Sequence, residues 1–436
     1  MPPNRVGISA LKKQLETLLA QITRREFPSL REELKEKLSE CQNELTILGP
    51  ARPTEKEQRS YLSAIARQFE ELTRRALGSQ YSHQGLFEKF ETRLITQVVN
   101  LTDLFSDSFQ QYGQIRRFED IGASILSLEA EVSESGEDIP PSPLFDLQTY
   151  LQTHLGKSDK IKKEKYTELS GMLTHRVEIE EPKGGIMGWI KNLHHESRGM
   201  NLGTFNPDLL SVAFVEQSRQ WEQMVGVYMG EVVLLIHHFM KSAIRDICAD
   251  DDISSEIWSA IIDVVVQRYE EGLNQAKLLV HLERLLTPYT LNRSFNEEVQ
   301  IARGKRARES LRPKAWKSAS KYGEDKMLIN LDDVADVTTA KPNDQDQEEE
   351  IYDKLRSYYH LAVKRVMDNI LLQAVGYKLL SGPSSPLNVF SQAWVIDLNS
   401  EQLEHIAGEQ ETAKERRQML TKKSKDLKMA LDILKK

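Results

Sequence analysis

The stretch IYDKLRSYYHLAVKRVMDNILLQAV, residues 351–375, decides how this chain is read. Leu355, Tyr359, Ala362, Val366, Ile370, Gln373 and Ala374 recur every three or four positions and fall on one helical face. Tyr358, Ala362, Arg365 and Asn369 fall on an adjacent face. Two neighbouring tyrosines, then an arginine and an Asp-Asn pair, are more polar detail than an ordinary amphipathic helix needs.

Outward from that stretch, nearly every periodic segment reads as helix. After Pro207, Leu210, Phe214, Gln217, Trp221, Met224, Tyr228, Val232, Leu235, Phe239, Ala243 and Ile247 step by three or four. About 40 such residues would make one rod of roughly 60 Å. ADDDISSE (249–256) reads as a turn, with Asp252 or Ser254 as helix cap, and a second rod returns from Ile257 to Leu286. Near the start, Val6, Ile8, Leu11, Leu15, Leu18, Leu19 and Ile22 form a stripe. Pro28 reads as the first turn of a second helix, and Thr54 with Glu57 as a capping box opening a third. A final helix is expected over 400–434. The expected fold class is all-α, an elongated antiparallel helical bundle whose apolar stripes form the core; strands have almost no support.

Composition narrows the function classes. The 436 residues are 39% hydrophobic and 28% charged, lean in apolar content as long helices with wet faces are. A formal net charge of -8 argues against a general nucleic-acid binder. Cys41 and Cys248 are the only cysteines, too few for a disulfide framework or a zinc quartet, and point to a reducing, cytoplasmic setting. The N-terminal residues lack an apolar signal-peptide core, and VVLLI (232–236), the longest apolar run, is too short to cross a bilayer. The expected location is cytoplasmic, at most peripheral on membranes.

Residues 287–350 show little periodicity and read as a flexible, charge-segregated loop. Within it, 303–321 carries eight basic residues against one acidic residue, and NDQDQEEEIYD (343–353) is acidic.

Tyr358-Tyr359, Ala362, Arg365, Asp368-Asn369 and Gln373, followed by VFSQAWVIDLNSEQLEHIAGEQETAKERRQML (389–420) with Gly408-Glu409, resemble the GTPase effector domain of dynamin-like proteins. ESRGMNLGTFNPDLLSVAFVEQSRQWE (196–222) resembles the segment of their middle domain around R-G-x-x-L-P-G-x-x-N, without its proline and one position shorter. LREELKEKLSECQNELTILGPARPTEKEQRSYL (30–62) resembles the start of that domain. The resemblance is closest to fungal, Mx-type members, which carry a loop where classical dynamins carry a lipid-binding pleckstrin-homology domain.

The resemblance implies a junction helix over 1–27, a middle domain or stalk over 28–286, a stalk-tip loop over 287–350 and an effector domain over 351–436. That last part would comprise a stalk helix at 351–380 and a terminal helix at 400–434 beside a helix from near the chain start. It further implies self-assembly, with itself or with full-length dynamin-like proteins, and association with membranes or microtubules. Arg198 and Gly199 lie where such proteins assemble. The family's GTPase domain would precede Arg5. The one Gly-Lys-Ser, at 156–158, has Leu151 where a phosphate loop needs its first glycine, so no catalytic residue is expected here. GTP and magnesium would belong to the head, and no cofactor to this chain. The alternatives are a fragment of a full GTPase and a stand-alone membrane-binding scaffold.

Arg303, Lys305, Arg306, Arg308, Arg312, Lys314, Lys317 and Lys321 read either as a solvated loop or as a contact for an anionic membrane surface, with Trp316 as interfacial anchor. Aromatics are not interleaved with these cations, so no nucleic acid is expected. His194-His195 and His237-His238 are badly placed to chelate one metal, since neighbours on a helix point about 100° apart.

Overall fold

The computed structural model describes residues 8–81, 85–118, 144–154, 166–173, 178–199, 204–206, 208–248, 250–318, 326–334, 342–409 and 411–434. The fold class is all-α. The described chain forms α1 (Ile8–Ile47), α2 (Glu55–Leu77), α3 (Leu94–Tyr112), α4 (Leu147–His154), α5 (Ile186–Glu196), α6 (Asp208–Gln217) and α7 (Trp221–Ile247). These are followed by α8 (Asp251–Leu285), α9 (Arg293–Leu311), α10 (Asn343–Asn369), α11 (Gln392–Asp397), α12 (Ser400–Ala407) and α13 (Glu411–Ile433). Two short antiparallel ladders interrupt them, β1 (Leu144–Asp146) with β2 (Glu178–Glu180) and β3 (Trp316–Ser318) with β4 (Lys326–Leu328). The helices divide into two units.

The first unit comprises Met1–Glu71, Ala243–Ala260 and Phe390–Lys436. Here α13 runs antiparallel to α1: Arg416 pairs with Glu44 at 3.0 Å, while Arg31, earlier on α1, donates to the carbonyl of Leu434. The Thr54–Glu57 capping box forms, with the Thr54 amide donating to Glu57 at 3.2 Å and the Glu57 amide to Thr54 Oγ1 at 3.4 Å. Arg59 on α2 donates to the carbonyls of Val395, Ile396 and Leu398 at 2.7, 2.7 and 3.0 Å, satisfying oxygens that the end of α11 leaves open. Asn399 and Gln402 form a second capping box at α12. Phe69 and Phe390 pack with ring centroids 5.5 Å apart.

The second unit comprises Leu72–Ser242 and Ile261–Val389. Its core is an aromatic spine. Phe105 of α3 stacks on Tyr228 of α7 at 4.4 Å, and Trp221 meets Phe109, Phe214 and Tyr359 at 5.3, 5.5 and 5.4 Å. Each such ring buries a large apolar area and gains about 0.5–1.5 kcal/mol more from ring geometry. Residues 166–173 lie on α7 through polar contacts, with Tyr166 hydrogen-bonded to His238 Nδ1 at 2.7 Å and Glu168 to both His237 and Lys241 at 3.1 Å. Among the described residues, α7 alone is long and apolar enough to cross a membrane, but 83% of its apolar window is buried within the protein.

Several sequence expectations are corrected. Pro28 does not open a helix; it lies inside α1, which continues through it with the loss of one backbone bond. The stripe Ile8, Leu11, Leu15, Leu18, Leu19 and Ile22 is not core: these side chains are 49–88% exposed. The single rod after Pro207 is two helices, α6 and α7. Ser218 Oγ donates to the Phe214 carbonyl at 2.7 Å, and Arg284 captures the Val215 carbonyl at 3.2 Å, so the backbone ladder is diverted at the break. Asp250, rather than Asp252 or Ser254, caps α8, accepting from the Asp252 amide at 3.0 Å. The helix expected over 351–380 begins at Asn343 and turns π-helical over Ile370–Ser381. The helix expected over 400–434 breaks between α12 and α13 at Gly408-Glu409.

The largest correction concerns 287–350, expected to be a charged loop. It holds α9, capped by Asn292, whose side chain accepts from the Ser294 amide at 3.0 Å. Only Val299 and Ala302 of α9 are buried, so the helix carries almost no apolar period to detect.

Candidate functional site

The residues of the effector-like motif fall in both units, and each group has its own geometry. In the second unit, Tyr358, Tyr359 and Arg365 share α10. The Glu283 carboxylate of α8 receives the Tyr358 hydroxyl at 3.0 Å and Arg365 Nε at 2.8 Å, and Arg365 Nη2 also donates to Tyr358 at 3.0 Å. Burial pushes the Tyr358 phenol up to about 12, with the Glu283 charge adding to the shift, so it stays protonated and can donate. Tyr359 is buried and accepts from Trp221 Nε1 at 3.1 Å. The two tyrosines thus bond to different rods, Tyr358 to α8 and Tyr359 to α7. Asp368 is exposed, and Asn369 accepts from Gln373 at 3.1 Å.

In the first unit, Glu409 is 4% exposed and accepts from Arg417 Nε at 2.7 Å. Arg417 also donates to the carbonyls of Gly49 and Leu48 at 2.7 and 3.1 Å, just past the end of α1. One guanidinium therefore satisfies a buried carboxylate and the carbonyls of a helix end. Gly408 allows the break before Glu409: a Cβ there would strike the Glu404 carbonyl oxygen.

Arg198, just past α5, is paired with Asp344 at the start of α10. Gly199 follows it, and residues 200–203 of the same stretch lie outside the described residues. Arg198 is thus a contact within the second unit.

The basic cluster is divided by the fold. Arg303 pairs with Glu350 at 2.8 Å, and Arg306 with Glu349 and Asp353 at 3.2 and 2.6 Å. The basic run of α9 therefore faces the acidic start of α10, a pairing that separate readings of the two runs miss. Burial pushes the Asp353 carboxyl up to about 6, against the opposing pull of Arg306. Lys314 lies 3.5 Å from Asp333. Lys305, Arg308 and Arg312 are exposed, and Trp316 is 45% exposed at the start of β3. Lys317 follows it on the strand, and Lys321 lies outside the described residues.

Sequence reading missed Glu283, the acceptor on which Tyr358 and Arg365 converge. Its only signal was an acid within the apolar rod at 257–286. His194 and His237 are also held in protein contacts, His194 Nε2 to Gln347 at 3.0 Å and His237 Nε2 to Glu168 at 3.1 Å.

A family model of the dynamin central region matches residues 1–136, which take in α1, α2 and α3. No curated protein matches the chain.

Proposed function

We propose that this chain is the stalk and effector region of a dynamin-like protein and that its activity is self-assembly. The observation that carries the reading is the exposed apolar stripe of α1, where Ile8 is 88% and Leu19 69% exposed within the stretch that the dynamin central-region model matches. Apolar side chains in a row on one helix favour a partner that covers them. In an intact protein the first unit, with α13 laid along α1, would receive the motion of a GTPase head, and GTP and magnesium would belong to that head. Assembly would then be coupled to nucleotide turnover and membrane remodelling in the cytoplasm. Sedimentation of the chain at graded salt and concentration tests the assembly claim. Concentration-dependent oligomers are expected, and fewer of them from L15E/L19E. A strict monomer at high concentration sinks the reading.

A second reading, a membrane contact, is favoured by exposed Lys305, Arg308 and Arg312 near half-exposed Trp316. Cations of this kind contribute about 1 kcal/mol each beside an anionic leaflet. Flotation with phosphatidylserine vesicles should fall for R308Q/R312Q; equal flotation removes the role.

A further inference from the structure

A cavity of about 320 Å³ in the second unit opens between the end of α3, Phe118, α9 and α10, with Gln110, Gln114, Glu298, Arg356, His360 and Lys364 in its wall. A smaller depression of about 260 Å³ adjoins it, sharing Glu298, Arg356 and His360 and adding Lys305. On the other side a third shares Glu298 and Lys364 and reaches Arg365 and Asp368. The three form one groove along α10.

The wall is ordered by helical spacing. Arg356, His360 and Lys364 stand four residues apart on α10 and so form one stripe, with successive members separated by roughly 6 Å along the axis. Gln110 and Gln114 are also four apart, on α3 and just beyond it. Phe118 meets His360 edge-on at 5.8 Å, which fixes the imidazole plane. A guanidinium, an imidazole and an ammonium at one-turn intervals suit anionic groups at the same spacing. The glutamine amides suit hydroxyls. The acids that face the groove, Glu298 and Asp368, disfavour phosphate beside them, and Glu298 accepts from hydroxyls.

We infer that this groove binds a small polyol carrying several phosphomonoesters, with Arg356, His360 and Lys364 taking phosphates and Gln110, Gln114 and Glu298 taking hydroxyls. The inference does not rest on the dynamin-like reading and uses none of its motif residues as ligands. His360 is exposed to solvent, yet desolvation by its neighbours, then the charges of Arg356 and Lys364, hold its unliganded imidazole below the ordinary range. Lys305 of α9 faces the same region, and Glu298 is the acid opposite. A bound dianion offsets the repulsion, so binding takes up a proton and tightens as pH falls from neutrality.

Titration calorimetry of the full chain with inositol 1,4,5-trisphosphate, which carries three phosphates and three free hydroxyls, is the test. A saturable 1:1 isotherm is expected, with inorganic phosphate about 100-fold weaker because it engages one cation at a time. R356Q and K364Q should each weaken binding about tenfold, as loss of a charge-assisted contact does. K191Q/K277Q, two exposed cations outside the groove, should bind as wild type. Thermal melts matching wild type establish that the variants are folded. The His360 ring resonances should titrate at higher pH with the trisphosphate present. Flotation with phosphatidylcholine vesicles, with and without phosphatidylinositol 4,5-bisphosphate, separates the sources. Flotation lost in K364Q assigns a lipid headgroup, and absence of flotation with the isotherm intact assigns a soluble ligand. No saturable isotherm, equal loss in K191Q/K277Q, or an unmoved His360 titration overturns the inference.

Discussion

Arg365 of α10 donates through Nε to Glu283 of α8 at 2.8 Å across 82 residues of sequence, and the Glu283 side chain is only 10% exposed. The carboxylate is further satisfied by Tyr358 at 3.0 Å. Arg365 Nη2 donates to it as well, and a buried carboxylate with three donors is costly to leave alone and inexpensive to keep. Removing Arg365 should therefore cost more than removing the pair.

R365A is expected to lower unfolding stability by about 2–3 kcal/mol, discounted from the fully buried case because the arginine is one-third exposed. E283Q/R365A should recover part of that, since no uncompensated charge remains. R365K should not rescue, because an ammonium cannot reproduce the forked contact. Urea unfolding of wild type, E283Q, R365A and E283Q/R365A closes the cycle, with R365K measured beside them. Additive losses would show that the two residues do not interact.

Arg417 offers a second test, confined to the first unit. R417A leaves Glu409 buried without its cation and returns the Gly49 and Leu48 carbonyls to solvent. A loss of about 2–3 kcal/mol is expected. Amide exchange should accelerate along α13 and at the end of α1. Exchange confined to the 408–417 backbone would mean that the arginine orders only its own loop.

Gly272 on α8 lies against Leu379 so closely that an added Cβ would sit 2.5 Å from Leu379 Cδ2 and 2.8 Å from Cγ. Alanine should gain about 1 kcal/mol in helix propensity. Leu379 is fully buried, however, and Cγ is not a free side-chain end, so overpacking of about 1–3 kcal/mol should outweigh that gain. G272A is expected to be destabilised, and G272A/L379A less so than the sum of the single changes. A stabilised G272A would show that this packing yields.

These contacts mark how far the sequence could be read. The three-to-four spacing through Phe214, Trp221, Tyr228 and Phe239 is a strong local signal, and all four side chains are buried. The same spacing at Ile8, Leu11 and Leu15 is as clear, yet those residues are exposed: a stripe reports that a helix wants a partner, not whether this chain supplies one. Ion pairs follow the opposite logic. Arg306 and Asp353 lie 47 residues apart, and neither charge carries a mark of the other. Two runs of opposite sign looked like a charged loop and instead join α9 to α10. The breaks at Ser218 and Gly408 escaped reading for a related reason. They depend on Arg284 and on the Glu404 carbonyl, one distant in sequence and the other part of the backbone.

The second unit carries two buried titrating groups whose effects oppose. Burial lowers His237 to about 4, so the folded protein refuses a proton that the unfolded chain accepts near 6.5. This costs stability as pH falls through that window, by up to ~3 kcal/mol. Burial raises Asp353 to about 6 from 3.8, so the folded protein accepts a proton before the unfolded chain does. This adds stability over nearly the same window, again by up to ~3 kcal/mol. Arg306, Glu349 and Arg303 surround Asp353, and Glu168, Lys241 and His238 surround His237. D353N should therefore lose stability relative to wild type as pH falls from 7 to 4, because the protective term is gone. H237Q should gain relative to wild type over the same range. Chemical denaturation at pH 7, 6, 5 and 4 measures both differences. Differences that do not change with pH would mean that neither group is buried in solution as it is in this fold.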